Sequence, residues 1–141
     1  MKTISFTKMS GAGNDFILFR LKKRSDLVLS KSAVEKLCHR RFGIGADGLI
    51  LIEDEAGYDF RMVYYNSDGN ESTMCGNGGR CITAFAKKMG IVQHEARFIA
   101  IDGPHNATID NQGDVHLGMQ DVHHIAFLDG YSVLNTGSPH Y

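Results

Sequence analysis

Several short stretches of this chain alternate apolar and polar residues with the two-residue period of a pleated strand. Six runs stand out: Ile4–Lys8, Phe16–Leu21, Leu49–Glu53, Phe60–Tyr65, Arg97–Ile101 and Val115–Met119. Those that do not alternate strictly carry β-branched and aromatic side chains, which suit a sheet surface. Two stretches switch to a helical period. Ser30–Arg41 sets Val34, Leu37 and Cys38 at helical spacing behind Ser30 or Ser32 as N-cap, with Glu35 available for a capping box. Asn77–Met89 puts Cys81, Ile82, Phe85, Ala86 and Met89 on one face, and Gly90 follows as its stop. Ala84 widens that face while Lys87 and Lys88 escape near the end, so this second helix is expected to be wrapped on most sides. The fold class expected is α/β (α+β): a curled, mixed, barrel-like sheet around a central helix.

Glycine and proline place the joints. With 16 glycines and 2 prolines, many tight turns are expected between short elements. The Asp-Gly pairs 47–48, 68–69, 102–103 and 129–130 are candidate turns, because both residue types tolerate positive φ. No repeat, linker or low-complexity tract interrupts the pattern.

Composition narrows the class of protein. A length of 141 residues suits one domain with a real core. Hydrophobic residues at 43% and charged residues at 22% are ordinary for a soluble globular chain. A net charge of −1 leaves no electrostatic footprint for nucleic acid or an anionic membrane. The opening MKTISFTKMSGAG lacks the apolar core and cleavage site of a signal peptide, and no apolar run is long enough to span a bilayer. Three cysteines without repeated spacing argue against a disulfide framework and for a reducing, cytoplasmic location. The end, SVLNTGSPHY, follows a strand-like run with no capping element, and reads as a chain cut short.

The candidate chemistry gathers at NESTMCGNGGRC, residues 70–81. A helix starting near Asn77 or Gly78 leaves Cys75 just before its first turn. The backbone N–H groups there lack intrahelical partners and the macrodipole places roughly half a positive charge at that end. Both favour a thiolate over a thiol. Glycines at 76, 78 and 79 are expected to let a ligand approach the main chain, whose N–H groups can receive a carboxylate or phosphate. A thiolate beside a carboxylate cradle suits work on the α-carbon of an amino acid. Cys38 and Cys81 fall on apolar helix faces and read as core packing, whereas the glycine and asparagine surroundings of Cys75 argue against inert burial. A zinc site fails on spacing, since there is no C-x2-C and His123–His124 are adjacent. Neither G-x-x-x-x-G-K-[ST] nor G-x-G-x-x-G is present in this stretch.

Four motifs in order, KMSGAGNDFI, FGIGADGLI, YYNSDGNESTMCGNGGRC and NTGSPHY, make the chain resemble the diaminopimelate epimerases. The resemblance implies a cofactor-independent, pyridoxal-free epimerase that interconverts LL- and meso-diaminopimelate. It also implies two similar domains, each a sheet around a helix, with one cysteine from each acting across the substrate's α-carbon. Cys75 matches the first cysteine of that pair. Asn14, Asn66, Gly76 and Asn77 match substrate-holding positions, and Ser138 stands in a turn where many members carry Asn. Many members carry Gln where this chain has Gly48, so a polar contact is expected to be missing or replaced by water. The domain division this implies is 1–130 as an N-terminal epimerase domain and 131–141 as the start of a crossover into a second domain absent from the chain. The partners implied are a small amino-acid substrate and a second copy in a homodimer, with no nucleic acid, no membrane and no metal. Two other readings stay open: a proline or hydroxyproline racemase, which tends to read M-C-G-H-G where this chain has Met74-Cys75-Gly76-Asn77-Gly78, and a non-catalytic carboxylate-binding module.

Overall fold

The computed structural model describes residues 3–22, 27, 29–136 and 139–140. Strands β1 (Thr7–Gly11) and β2 (Asn14–Leu21) form an antiparallel hairpin in which Gly11 pairs with Asn14. The two residues between them both take positive φ, Ala12 at 50° and Gly13 at 96°, which matches the twist of a tight hairpin. This hairpin fixes the register of β1, so it runs three residues later than the Ile4–Lys8 alternation suggests. Helix α1 (Lys31–Cys38) then carries the chain to β3 (Gly48–Glu53), which lies parallel to β2. Strand β4 (Phe60–Asn66) returns antiparallel to β3, and the two-residue β5 (Glu71–Ser72) pairs with it.

Helix α2 (Gly76–Lys88) is the second crossover, leading to β6 (Glu95–Ala100) parallel to β4. Strands β7 (Gly103–Ile109) and β8 (Val115–Leu117) complete the sheet as antiparallel neighbours, in the order β1-β2-β3-β4-β6-β7-β8. Helix α2 touches β1 and β2 near one edge and β7 and β8 at the other. The sheet therefore curls around α2 as a half-barrel, as the sequence pattern implies. Its inner face and α2 share one core, including Phe16, Ile50, Phe60, Met62, Ile82, Phe85 and Phe98. The outer face at β2, β3 and β4 is covered by α1 through Ile17, Val34, Cys38, Leu49 and Val63. With helices on both faces, all six residues of β3 are buried, which is why Leu49–Ile52 reads as a continuous apolar run, closed by the buried Glu53. A separate three-stranded sheet follows: β9 (Ile125–Leu128), β10 (Tyr131–Asn135) and β11 (Pro139–His140), in the order β11-β10-β9.

The helix ends depart from expectation in instructive ways. Helix α1 has Ser30 as N-cap, its hydroxyl accepting from Ala33 N–H at 3.2 Å, but it stops at Cys38 rather than Arg41. His39 is extended (φ −65°, ψ 121°) and its Nδ1 accepts from the N–H groups of Arg41 and Phe42 at 3.1 and 3.2 Å. The imidazole thus draws the chain out of the helix. Helix α2 spans Gly76–Lys88 rather than Asn77–Met89, and ends through Gly90 at φ 72° with Gly90 N–H donating to Lys87 and Ile91 N–H to Ala86. Three of the four Asp-Gly pairs are turns with positive φ at Gly69, Gly103 and Gly130. Asp47-Gly48 is not. Gly48 opens β3, and a Cβ there would sit 2.5 Å from Tyr64 Cε2 and 2.7 Å from Tyr65 O. Packing, not turn geometry, requires that glycine.

Candidate active site at the start of helix α2

Cys75 is the N-cap residue of α2. Its backbone is extended (φ −98°, ψ 142°), its carbonyl accepts from Gly79 N–H at 2.7 Å, and its Sγ accepts from Gly78 N–H at 3.2 Å. The sulfur therefore lies on the positive end of a 13-residue helix. It is half-buried, whereas Cys38 and Cys81 are buried. The preceding residue is tied down as well, since Met74 N–H donates to Asp102 Oδ1 at 3.3 Å in the β6–β7 turn. Asp102 Oδ1 also lies 3.3 Å from Nε2 of His105, a buried imidazole stacked on Phe98.

A cleft of about 390 Å³ opens at Cys75, lined among others by Tyr64, Asn66, Gly76, Met119, Thr136 and His140. Asn66 arrives from the end of β4, opposite Gly48, and Gly76 begins α2. Of the residues expected at the site, Cys75, Asn66 and Gly76 thus meet in one cleft. Asn14 and Asn77 meet each other instead, with Asn77 Nδ2 donating to Asn14 Oδ1 at 2.7 Å. Asn14 Nδ2 donates in turn to Asp47 Oδ2 at 3.0 Å, and Arg80 donates to Asn77 Oδ1. These two amides do not line the cleft; they form a chain running from Asp47 to the first turn of α2. Ser138 lies outside the described residues.

The glycines divide by role. A Cβ at Gly76 would make only ordinary contacts, 3.6 Å to Arg80 and 3.7 Å to Met119, so packing does not require this glycine, which lines the cleft. Gly78 and Gly79 are buried and serve packing instead: a Cβ at Gly79 would lie 2.7 Å from Leu117 Cδ2, and one at Gly78 3.3 Å from Cys75 Sγ. The expectation that all three admit a ligand is corrected accordingly. Gly11 plays a similar part on β1, where a Cβ would lie 2.8 Å from Cys81 Sγ and 3.1 Å from Asn77 O.

Charge around the site is strongly organised. Arg40 donates to both oxygens of Asp15, at 3.1 and 2.9 Å, and to Asp47 Oδ1 at 2.8 Å. The Arg40 guanidinium, with Lys8 beside it, holds the Asp15 carboxyl far below the usual carboxylate range. The Asn14 amide, the Asp15 N–H and Arg40 lower Asp47. Burial pushes the Cys38 thiol up to about 11, and burial followed by the negative field of Cys75 raises Cys81. The same two causes push the Tyr64 phenol up to about 12. Among the described residues, no group of His, Cys, Asp and Glu side chains is placed to hold a metal ion. Tyr64, Thr136 and His140 are not candidate site residues in the sequence reading, although Tyr64 opens the YYNSDGNESTMCGNGGRC motif and Thr136 and His140 belong to NTGSPHY.

A half-barrel sheet wrapped on one helix is a fold this chain shares with racemase-like structures. The chain superposes on a probable proline racemase from Agrobacterium radiobacter with a TM-score of 0.63 at 14% identity, covering 94% of this chain and 48% of that one. A diaminopimelate epimerase profile matches residues 6–125, and the chain belongs to that family. It is 54% identical to the diaminopimelate epimerase of Flavobacterium psychrophilum over 95% of its length and 52% of the relative's. It is 44% identical to that of Chlorobaculum tepidum over 94% of its length and 54% of the relative's. The chain therefore spans about half the length of these curated relatives.

Proposed function

We propose that this chain is the N-terminal half of a cofactor-independent epimerase that interconverts LL- and meso-2,6-diaminopimelate, with Cys75 as one of two acid/base thiols. The observation that carries this is the placement of Cys75 at the N-cap of α2, lining a cleft it shares with Asn66 and Gly76. The Cys75 thiolate takes the α-proton: the Cα–H bond breaks, an S–H bond forms, and the electron pair stays on the α-carbon. A second thiol on the opposite face then gives its proton to that carbon, inverting it. One residue acting alone would return the proton to the face it came from. The N–H groups at the start of α2 receive the α-carboxylate, whose negative charge grows as the carbanion delocalises. Asn14 and Asn77, bonded to each other, steady the first turn of α2 that carries Cys75 at its N-cap.

Cys38 and Cys81 are buried as thiols, so the half-buried, cleft-lining Cys75 is the acid/base sulfur this chain offers. The family's two-domain architecture supports residues 1–130 as the first domain and 131–141 as the start of a crossover, with the β9–β10 hairpin spanning the junction. A cytoplasmic location and a homodimer belong to the same reading and rest on the family resemblance. Among the described residues, no helix is long and apolar enough to cross a membrane. The test is chromatographic separation of LL- and meso-diaminopimelate after incubation with the full-length protein and with the 141-residue chain. Interconversion by the full-length protein alone is expected. Turnover by the short chain would refute the two-thiol division.

A further inference from the structure

Tyr64 stands on the inner face of β4, buried, with its ring packed edge-on against Phe16 at 6.0 Å and 76°. Its other side is the cleft it shares with Cys75. The ring fits because residue 48 is glycine: a Cβ there would lie 2.5 Å from Cε2 and 3.0 Å from the phenol oxygen. In a close-packed interior, any side chain at 48 would displace the ring. Burial and the field of Cys75 push the phenol up to about 12, so the hydroxyl keeps its proton at any ordinary pH. A neutral O–H beside a thiolate can donate to an anion, yet it neither competes as a base nor neutralises the sulfur as a cation would.

We propose that the Tyr64 hydroxyl is a substrate-binding donor to a carboxylate oxygen held next to Cys75, and that Gly48 is the position that admits it. This rests on Cys75 being the reactive thiol of the cleft. It turns the missing polar side chain at 48 into an exchange: the tyrosine on the neighbouring strand supplies the polar contact and the glycine supplies its room. The carboxylate, rather than the substrate's ammonium group, is the partner because an O–H···O⁻ bond is charge-assisted while an ammonium offers no acceptor.

Alkylation of Cys75 by iodoacetate and by iodoacetamide tests this in the 141-residue chain, with the site read by peptide mass spectrometry. In each case Sγ attacks the methylene carbon, the C–S bond forms and iodide leaves. The two reagents differ in whether a carboxylate or a neutral amide hangs on that carbon. Tyr64→Phe is expected to slow iodoacetate about fivefold, the scale of one hydrogen bond partly screened by solvent, while leaving iodoacetamide within about twofold. Gly48→Ala, which pushes the ring aside, is expected to shift the ratio the same way and carries the test if the phenylalanine variant is unstable. Equal slowing of both reagents, or no change in the ratio, overturns the proposal. Failure of wild-type Cys75 to react with either reagent would overturn the acid/base role beneath it as well.

Discussion

Replacing Cys75 by serine is expected to remove the thiol chemistry without weakening the fold. The sulfur occupies an N-cap, with extended backbone at φ −98° and ψ 142°, and accepts one N–H at 3.2 Å. Sulfur is a weak acceptor, whereas serine is among the preferred N-cap residues. Losing an N-cap acceptor to alanine typically costs about 1 kcal/mol, within a range of about 0.5–2. An unfolding entropy of about 2.1 cal/mol/K per residue gives roughly 0.3 kcal/mol/K for 141 residues, so 1 kcal/mol corresponds to about 3 °C. Cys75→Ser is therefore expected to melt at or above the wild-type Tm, with Cys75→Ala about 3 °C below the serine variant. Circular dichroism melts of the three proteins in one reducing buffer at neutral pH measure the order directly. An alanine variant as stable as the serine variant would refute the capping role. The expected order would mean that the fold itself favours oxygen here and that sulfur is kept for its chemistry at a small cost in stability.

Other expectations follow from the core and the charges. Ile82, fully buried between α2 and the sheet, should lose about 2–5 kcal/mol on Ile82→Ala, seen as a lower urea midpoint at unchanged slope. Gly11→Ala would press a methyl onto Cys81 Sγ and Asn77 O and should cost about 1–3 kcal/mol, measured the same way. Asp15 and Asp47 have depressed carboxyls in the folded state, so their contribution is present above the unfolded carboxylate value of about 4 and is lost as the pH falls below it. Arg40→Gln should flatten that acid limb, read as Tm against pH. Cys38 is raised to about 11, so its contribution is present below the unfolded thiol value of about 8.5 and is lost as the pH rises toward 11. Between about pH 8 and pH 10 the Tm of Cys38→Ala should therefore fall less steeply than that of the wild type.

Strands β2, β3 and β4 and both helices were legible because their apolar runs are long and are covered by packing that the sequence pattern records. The register of β1 was not, because it depends on Ala12 accepting φ 50°, which no propensity foretells. Strand β7 also escaped notice. Its inward residues His105, Ala107 and Ile109 include a histidine and an alanine, a weak apolar signal for a buried face. The helix α1 boundary turned on the His39 ring bonding two backbone N–H groups, a local event that periodicity cannot see. At the site, Cys75 was readable because a cysteine before a glycine-rich helix start is chemically conspicuous. Tyr64 was hidden as one aromatic in a strand run, since its meaning depends on Gly48 across the β3–β4 ladder. Asn14 and Asn77 were found, but not their mutual bond, which joins residues 63 positions apart.

The two-thiol mechanism is tested most directly by proton exchange at the substrate's α-carbon. Full-length protein in deuterium oxide, given LL- or meso-diaminopimelate, should incorporate solvent deuterium at the α-carbon, followed by mass spectrometry or proton NMR. Cys75→Ser should abolish that incorporation for the isomer whose α-proton Cys75 removes, while its melting curve stays at or above that of the wild type. Exchange at the wild-type rate in the serine variant would contradict the role of Cys75 as an acid/base thiol.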